Sequence, residues 1–531
     1  MTKTALRLLI AIACLVMPIV AAAQQPVVAD SLPGNDWCAK VNYADQVVLV
    51  ASNQAPIPGE IWVSTAAGNS TCSAQVLLSP GRTLRFTQGG VFALSCSGIL
   101  VQSVTRTIGG QPVVFPSQNV NIIGTSGAVL ALPSGCANFS SPVHIQGATN
   151  VLVRDLEING NGNLQQGGEQ DHDISVVDSS QVKILNNYLH DAQGDAVSVF
   201  TDANMTAGCN DVLVEGNSFT NIGRHQVSLS GYGCNDFRVL GNYFKFGSAV
   251  TTSTSRGNAV HVEGETAGTG MQRITVAGNT NVGAQGLCYS FLAPTSNPIL
   301  GLVVEHNQCS GTNINGATAA GIVVLMAQDV VIGGNTVNMT GSTIGTSGIL
   351  VEEVGGAPAQ ANRIMIHNNV VEGVSVAGIQ LFAAGTSTGT PQAFSINDNI
   401  VNNAALFCVE VINNFSDLDI HDNTCTNLQA AGMHIESAAR FHIHHNTIRD
   451  YGLNGAAANG IEMTCNSVDT AIGPGEVDTN RIGNAVATNK TAIREDCSGA
   501  NGIYVYHNDV AGNATGINHV AGGYVNGQPP F

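Results

Sequence analysis

The sequence contains few charged and few aromatic residues. Asp, Glu, Lys and Arg together make up 11% of its 531 residues, and Phe, Trp and Tyr make up 5%. Residues that favour helices, such as Leu, Glu, Lys and Arg, are scarce, whereas Val, Ile, Thr, Asn and Gly are common, which argues against a helical protein. Hydrophobic residues still make up 44% of the chain. That share can bury a long core and argues against disorder.

Some residue patterns are absent as well. No two cysteines are spaced as C-x-x-C, which argues against a zinc site. Positive charge is scarce: 19 Lys and Arg stand against 37 Asp and Glu, a net charge of -18, so we expect no nucleic-acid partner. Beyond the N-terminal segment no apolar run is comparable in length to a membrane span, and we predict no membrane insertion.

The N-terminal segment has the three parts of a secretory signal peptide. Basic Lys3 and Arg7 precede an apolar run over residues 8–20, and small residues at 21–23 form a cleavage site of the A-x-A type. We therefore predict a signal peptide at 1–23 and a secreted protein, extracellular or periplasmic. Of the 13 cysteines, Cys14 falls inside this segment, and the remaining twelve are an even number that favours disulfides in an exported chain.

A six-residue pattern, apolar-x-apolar-x-x-Asn, recurs along most of the chain. Its eleven copies in one frame end at Asn187, Asn217, Asn242, Asn279, Asn307, Asn335, Asn369, Asn399, Asn423, Asn446 and Asn508. A degenerate copy lies around Asn480. A second segment, a small residue followed by apolar-x-apolar, comes after most copies, as in Gly321-Ile-Val-Val. Both triplets have the period of a strand with one buried face.

These segments predict a stack of coils. One coil of ~22 residues or more cannot bury its apolar face alone, so it is stabilised by the coils above and below it at ~4.8 Å. In such a stack the recurring Asn would occupy an inward turn, where its amide bonds to the Asn of the next coil. We therefore predict that these asparagines are scaffold rather than catalytic residues.

The pattern resembles the right-handed parallel β-helix repeat superfamily, which contains pectate lyases, polygalacturonases, alginate lyases, mannuronan epimerases and phage tail-spikes. The resemblance covers about residues 75–516 and implies an all-β, single-domain solenoid, a right-handed parallel β-helix. The segment over residues 76–86 looks like the first coil. Residues 24–74 are therefore expected to form an N-terminal cap, and residues 517–531 a C-terminal tail.

Register within the repeat predicts four disulfides. Cys209 and Cys234 each stand three residues before their triplets, and Cys465 and Cys497 each stand four residues after the start of theirs. Equivalent positions on adjacent coils lie ~4.8 Å apart, within the Cα separation that a disulfide accepts. Two more predicted pairs, Cys288 with Cys309 and Cys408 with Cys425, share another relationship. The first cysteine of each pair lies on a second strand, and the second cysteine lies two residues after the next repeat Asn. The register gives no order for Cys38, Cys72, Cys96 and Cys136.

Aligning the second strands of four consecutive coils brings polar residues into one column. The triplets at 174, 197, 227 and 260 are preceded, two residues earlier, by His172, Asp195, His225 and Asn258. On a parallel stack these residues would lie ~5 Å apart. They could then hold a general acid and a base against one sugar linkage. The alternative is a solvated polar edge with incidental histidines.

We predict His172, Asp195 and His225 as catalytic residues, with Asp171, Asp173 and Arg224 in support. Asp195, between two imidazoles, would hold one of them charged as the acid and leave the other as the base. Arg224 would stabilise charge on the substrate.

Two short motifs here are similar to motifs of the superfamily. Asp171-His172-Asp173 is similar to the Asp-Pro-His-Asp motif of mannuronan epimerases without its Pro. Gly194-Asp195 resembles the Gly-Asp-Asp of polygalacturonases, with Ala196 in place of the second Asp. The Gly-His-Gly and Arg-Ile-Lys motifs of polygalacturonases are missing. The resemblance therefore implies cleavage or modification of a polysaccharide rather than one particular activity.

A second group lies on late coils: His421, His434, His442, His444 and His445 with Asp419, Asp422 and Glu436. His421 and His444 hold the same repeat position on successive coils, an arrangement that also describes a metal-binding edge. Outward residues of exposed strands are usually just polar, so we predict no metal here. We predict no cofactor either, and no specific motif supports a calcium ion.

Two functions fit this sequence. The first is a secreted carbohydrate-active enzyme, a glycoside hydrolase or polysaccharide lyase, that uses the column near residues 171–225. The second is a non-catalytic, adhesin-like module that binds carbohydrate or a cell surface. In both cases we expect a monomer with a polysaccharide partner.

Two sets of residues near the column favour a polysaccharide. The aromatic residues are Tyr188, Phe200, Tyr232, Tyr243 and Phe244, and the basic residues are Arg154, Lys183, Arg224, Arg238, Lys245 and Arg256. A local excess of positive charge in so acidic a chain would suit an anionic sugar.

Overall fold

The computed structural model describes residues 25–68, 71–162, 165, 168–201, 209–231, 233–246, 257–264, 270–284, 287–294, 296–311, 319–341, 345–354, 361–384, 390–455, 458–465, 471–483, 490–497, 499–500, 502–519 and 524–526. The predicted signal peptide lies outside these residues, as do Tyr232 and Arg256.

Most of the described chain forms three long sheets whose strands pair in parallel. Sheet I consists of Val27–Val28, Gly59–Val63, Arg82–Phe86, Gln118–Ile123, Thr149–Arg154, Ser180–Leu185, Asn210–Glu215, Asn235–Leu240, Gln272–Ala277, Ile299–Glu305, Ala327–Gly333, Asn362–His367, Gln392–Asn397, Ser416–His421, Ala439–His444, Gly475–Asp478, Ile503–Tyr506 and Tyr524–Asn526. Sheet II consists of Val76–Leu78, Ile99–Val101, Val143–Gln146, Ile174–Val177, Val197–Phe200, Val227–Gly231, Val260–Gly264, Tyr289–Leu292, Ala319–Leu325, Thr346–Glu353, Ala377–Ala383, Phe407–Ile412, Met433–Glu436, Ala458–Thr464, Lys490–Asp496 and Thr515–His519. Sheet III consists of Gly90–Ala93, Ala128–Ala131, Glu157–Asn159, Tyr188–His190, Ser218–Thr220, Tyr243–Lys245, Thr280–Ala284, Gln308–Gly311, Thr336–Asn338, Val370–Glu372, Ile400–Asn402, Thr424–Thr426, Thr447–Arg449 and Arg481–Gly483.

A typical coil visits the sheets in the order I, III, II. One coil runs from Ser180–Leu185 through Tyr188–His190 to Val197–Phe200, and then returns to sheet I at Asn210–Glu215. The register repeats from coil to coil, so equivalent residues of the triplets stack directly on each other. The apolar residues of the triplets face one contiguous core, where most are completely buried. The structure thus confirms the predicted parallel β-helix.

The repeated asparagines form a continuous ladder at the turn between sheets I and III. From Asn187 to Asn508, with Asn480 included, the Nδ2 of each donates to the Oδ1 of the next at 2.9–3.1 Å. The same Oδ1 also accepts the backbone N–H of the preceding Asn, as Oδ1 of Asn369 does from Asn335 at 3.0 Å. Because these buried amides have partners on both sides, they stabilise the stack, and the predicted scaffold role is confirmed.

Strand pairing extends past both ends of the predicted solenoid. The segment before residue 75 holds two 3-10 turns (Ala29–Ser31 and Thr65–Ala67), an α-helix (Trp37–Tyr43) and a π-helical turn (Ala44–Val48), yet Val27–Val28 and Gly59–Val63 already belong to sheet I. These first strands lack the Asn that marks the repeat. At the other end, Thr515–His519 and Tyr524–Asn526 continue sheets II and I. An antiparallel hairpin, Val104–Ile108 with Gln111–Phe115, projects from an early coil.

The twelve described cysteines form six disulfides: Cys38–Cys72, Cys96–Cys136, Cys209–Cys234, Cys288–Cys309, Cys408–Cys425 and Cys465–Cys497. The last four join the partners that the register predicts, with Cα–Cα separations of 4.6–5.9 Å. The first two pairs give the connectivity of the four N-terminal cysteines, which the register did not predict. Such a set of disulfides is typical of a non-cytoplasmic compartment. In the part of the chain that the structure describes, no helix is both long and apolar enough to cross a membrane.

Candidate active site

The predicted column lies at the turn between sheets III and II. Strand pairing aligns the triplets at 174, 197, 227 and 260 in one register, so the residues two positions earlier follow one another from coil to coil. The chain bends at this point. As a result the side chains of His172 and Asp195 line an outer cavity, whereas the next residues, Asp173 and Ala196, are completely buried.

Each member of the column accepts a hydrogen bond from the backbone of the next. The N–H of Asp195 donates to Nδ1 of His172 at 3.1 Å, and the N–H of His225 donates to Oδ1 of Asp195 at 2.9 Å. The N–H of Asn258 donates to Nδ1 of His225 at 3.1 Å. These bonds hold the turn, so the column stabilises the fold. They also fix the tautomers, because a neutral imidazole whose Nδ1 accepts carries its proton on Nε2.

Both imidazoles of the column are neutral near pH 7. Burial, aided by the nearby Arg224 guanidinium, lowers the pKa of His172 to about 3. Burial and the neighbouring His261 hold the pKa of His225 well below its usual range. The expectation that Asp195 keeps one imidazole charged is therefore wrong, because the cost of taking a charged ring out of water exceeds the attraction of a carboxyl group 3.8 Å away. His172 is a hydrogen-bond donor through Nε2 rather than a base.

Asp195 has a carboxyl group whose pKa matches neutral pH. Its side chain is 1% exposed, and burial raises its pKa to about 7 against the opposing effects of Arg224 and of the N–H of His225. Oδ2 of Asp195 lies 3.7 Å from Nη1 of Arg224, and Nε of the same guanidinium lies 3.9 Å from Oε2 of Glu169. A group with a pKa near 7 can give and take a proton efficiently at neutral pH.

A cavity of about 530 Å³ opens above this part of sheet II. Its described lining consists of Phe139, Ser141, His144, Gln170, His172, Ser175, Val177, Asp195, Ser198, Phe200, Arg224, Ser228, Ser230 and Glu263. Serines at one register on successive strands form a floor of hydroxyl groups. Two phenylalanines, 77% exposed at Phe139 and 38% at Phe200, add apolar surface. Polar groups beside aromatic surface are suited to binding a sugar ring.

Glu263, a second carboxyl group at the cavity, differs from Asp195 in its charge state. A hydrogen bond with His261, Nε2 to Oε2 at 3.3 Å, lowers the pKa of Glu263, so this carboxylate is ionised at neutral pH. His261 is held in turn by Ser290, with Nδ1 and Oγ 2.7 Å apart, and its ring stacks on His225 at 4.1 Å between centroids. One cavity thus contains a carboxyl group that titrates near pH 7 and another that is ionised.

Three of the predicted residues are not part of the described lining. His225 is not in the described lining, and its ring stacks on that of His261. Asp171 accepts the backbone N–H of Ser140 at 3.0 Å and so holds the preceding loop. Asp173 is buried beside Gly160, and neither of its carboxyl oxygens has a hydrogen-bond partner within the described residues. Asp171 and Asp173 therefore do not line the described part of the cavity beside His172, because the bend turns adjacent residues in opposite directions.

Most of the described basic and aromatic residues that surround the column in sequence do not lie at the cavity. Arg224 and Phe200 line it. The other residues of these two sets that the structure describes lie elsewhere: Arg154, Lys183 and Arg238 on sheet I, and Lys245, Tyr188, Tyr243 and Phe244 on sheet III, with Phe244 in the core. Sequence neighbours separate because each coil distributes its strands over three faces.

Sequence reasoning missed His144, Phe139 and Glu169. His144 is the middle residue of a triplet that pairs in register with the strand from Ile174. The same apolar-x-apolar pattern could therefore have found it one coil earlier. No pattern in the sequence marks Phe139 or Glu169, which lie outside the strands.

Comparisons with known proteins identify the fold. No protein-family model and no curated protein matches the sequence. Among solved structures, the tailspike protein of E. coli bacteriophage HK620, in complex with a pentasaccharide, matches 90% of this chain and 80% of its own at 14% identity and a TM-score of 0.50. The A-module of mannuronan C-5 epimerase AlgE4 from Azotobacter vinelandii matches at 13% identity and a TM-score of 0.39, covering 94% of this chain and 98% of its own. The surface adhesin PfbA of Streptococcus pneumoniae matches at 11% identity and a TM-score of 0.37, covering 90% and 93%. This chain is a right-handed parallel β-helix, and the likeness extends to the fold alone.

Proposed function

We propose that this protein is an enzyme that cleaves a polysaccharide by hydrolysis in the cavity above sheet II, with Asp195 as the proton donor. One observation carries the proposal: a carboxyl group with a pKa of about 7 and an ionised carboxylate line the same cavity. Hydrolysis of a glycosidic bond uses two carboxyl groups in these two states.

Each polar group at the cavity then has a role. Asp195 donates its proton to the glycosidic oxygen as that bond breaks, and Glu263 accepts a proton from the water that attacks the anomeric carbon. Nε2–H of His172 and the Arg224 guanidinium donate hydrogen bonds to sugar oxygens. Phe139 supplies an exposed apolar surface for a sugar ring.

Elimination, the reaction of a lyase, is less well supported. It needs a base beside the carbon-bound proton next to the substrate carboxylate. His172 carries its proton on Nε2, so this base would have to be one of the two carboxyl groups assigned above to hydrolysis. Arg224 could still bind a carboxylate, so the proposed substrate includes anionic sugars. The HK620 tailspike, which has the same fold, is in complex with a pentasaccharide, and a saccharide ligand is proposed here by that analogy of fold. The disulfides support export, and we propose a monomer.

A panel of acidic and neutral polysaccharides tests the reaction. The protein is incubated with each one, and the products are assayed both for new reducing ends and for the absorbance of the unsaturated sugar that elimination creates. Hydrolysis gives reducing ends without that absorbance. The absorbance would show a lyase instead, and binding without any cleavage would favour the non-catalytic module.

Variants test the assigned roles on the substrate that the panel identifies. Asp195→Asn, which keeps an acceptor for the N–H of His225, and Glu263→Gln should each lower kcat/KM by ~100-fold or more. Glu436→Gln is the matched control, because Glu436 holds the same position on Met433–Glu436 that Glu263 holds on Val260–Gly264, on a later coil of sheet II. Turnover at the wild-type rate in both cavity variants would contradict the roles.

A further inference from the structure

A second group of ionisable side chains lies on sheet I, near the C-terminal end of the helix. Strand pairing aligns Asp419 with His442 and Glu476, and His421 with His444 and Asp478. We name these six residues the late histidine patch. They alternate with buried apolar residues, so their side chains stand together on the outer face. His434, which the sequence grouped with them, lies on sheet II instead.

Three members of the patch bring potential metal ligands together. Asp419, His442 and His444 each offer one ligand atom, and these atoms all lie within 4.8 Å of one another. Nε2 of His444 is 3.0 Å from Oδ1 of Asp419, and the rings of His442 and His444 stack at 3.9 Å between centroids. Two other members orient these rings. Oδ1 of Asp478 lies 2.6 Å from Nε2 of His442, and the ring of His421 stacks on His444 at 5.0 Å.

The chemistry of this donor set fits a transition metal. Imidazole nitrogen and carboxylate oxygen are the ligands that Zn2+ and similar ions take in open protein sites, at ~2.0–2.2 Å. Carboxylates that hydrogen-bond to ligating histidines, as Asp478 does with His442, are the usual outer partners of such sites. The ligands stand on adjacent strands of a stacked sheet, so the backbone is already in place.

The local charge favours a bound cation as well. Three carboxylates, those of Asp419, Glu476 and Asp478, surround the imidazoles of the patch. The neighbouring cation, Arg440, is paired with Asp417, Nε to Oδ1 at 2.7 Å. Its charge is therefore already balanced outside the patch.

Two of the three ligands, Asp419 and His442, also line a groove of about 520 Å³ together with Glu476 and Tyr504. Three protein ligands leave the fourth position of a tetrahedral site open. An ion held here would present that position to the groove, where water or an oxygen atom of a ligand could occupy it.

We propose that Asp419, His442 and His444 bind one divalent transition-metal ion, with Zn2+ as the preferred example, at the edge of this groove. Asp478 and His421 act as positioning residues for the ligating rings. The site is independent of the proposed hydrolase cavity. The strand Ser416–His421 lies eight strands further along sheet I than Ser180–Leu185, which is roughly 40 Å. Either proposal can thus fail without the other.

The test is calorimetric titration of the untagged, chelator-treated full chain with ZnCl2. We expect saturable binding of one ion per chain. Co2+ at the same site should give the visible absorption bands of a cobalt ion bound by imidazole, and Zn2+ should abolish them. His442→Gln and His444→Gln should each weaken Zn2+ binding by about 10-fold or more.

His367→Gln is the matched control. His367 stands in the same outward column as His421 and His444, two strands before His421, and should be dispensable for binding. Circular dichroism shows whether the variants keep the strand spectrum of the wild type. The proposal is overturned if binding does not saturate at one ion, or if all three variants weaken it equally.

Discussion

The pKa of Asp195 results from effects that oppose each other. Burial favours its neutral form, whereas the Arg224 guanidinium and the N–H of His225 favour its ionised form, and the balance places the pKa at about 7. At the two imidazoles beside it burial outweighs every opposing effect, so both rings lose their charge. The residue that can exchange a proton near neutral pH is therefore the carboxyl group and not either histidine.

Turnover should depend on pH through Asp195. The proton donor is active when protonated, and this form is lost as the pH rises through its pKa of about 7. On the hydrolysed substrate, kcat/KM should therefore fall about tenfold per pH unit above roughly pH 7. Arg224→Gln removes an influence that lowers this pKa and should move the decline to higher pH. If the decline stays in place in that variant, the group that titrates is not Asp195.

Asp173 should affect stability rather than turnover. Burial and the nearby Asp191 raise the pKa of its carboxyl group well above the usual 3.8. The unfolded chain therefore releases this proton at a lower pH than the folded protein does, so stability is lost as the pH rises above about 4. Asp173→Asn should therefore raise the Tm at pH 7 by about 2 °C or more and change it little near pH 3. Thermal unfolding at both pH values checks this, and a lower Tm at pH 7 would contradict it.

At the scale of the element, the turn after each sheet I strand explains the form of the repeat. The residue before the ladder Asn has a positive φ, for example 53° at Asn186, 67° at Gly216 and 55° at Asp422. Gly, Asn and Asp tolerate this left-handed conformation best. The motif therefore combines a buried triplet, a residue that can turn, and an amide that bonds to its neighbours.

The register of the fold could be predicted because these requirements recur in every coil. Alignment of the triplets alone brings His172 next to Asp195 and joins Cys209 to Cys234. The bend before each sheet II strand could not be predicted, because triplet spacing does not reveal that His172 points outward and Asp173 inward. The neutral state of His172 could not be predicted from the sequence either, since it depends on burial at one particular coil and not on the repeat.

An Asn of the ladder should contribute far more to the free energy of unfolding than an Asn whose side chain points outward. Asn369 accepts two bonds from Asn335 and donates to Ile332 O and to Oδ1 of Asn399. Each buried group left without a partner costs ~1–3 kcal/mol. Asn369→Ala should thus destabilise the protein by ~3 kcal/mol or more, measured by urea denaturation.

The control for the ladder is Asn397→Ala. The side chain of Asn397 points outward from sheet I and donates to Oγ of Ser395 at 2.8 Å. Its loss should cost less than ~1 kcal/mol. Equal destabilisation by the two substitutions would mean that the ladder contributes no more than a surface bond.

At the scale of the whole molecule, the helix is a one-dimensional stack with local cross-links. The six disulfides of the described chain join cysteines only 17–40 residues apart. In such a solenoid each coil contacts only its neighbours, so stability at one point depends on the coils beside it. The hydrolase cavity and the late histidine patch should therefore respond independently to changes near one of them.

Removal of Cys465–Cys497 should loosen one end of the helix and leave the cavity intact. This bond spans 32 residues, and closing a loop of that length stabilises the folded state by ~3–4 kcal/mol. With both cysteines replaced by Ala, hydrogen exchange should become faster in Ala458–Thr464 and Lys490–Asp496. Exchange in Val197–Phe200 and turnover at Asp195 should not change, because many coils separate the two regions.

Replacing both Cys209 and Cys234 by Ala should instead affect the cavity and leave the C-terminal end of the helix unchanged. Oγ1 of Thr201, directly after Phe200 of the cavity lining, lies 3.4 Å from Sγ of Cys209 and 3.2 Å from Sγ of Cys234. Loss of this disulfide should speed exchange in Val197–Phe200 and lower turnover, with the late strands unaffected. A uniform loss of protection along the chain in either double variant would show that the helix opens as one cooperative unit rather than coil by coil.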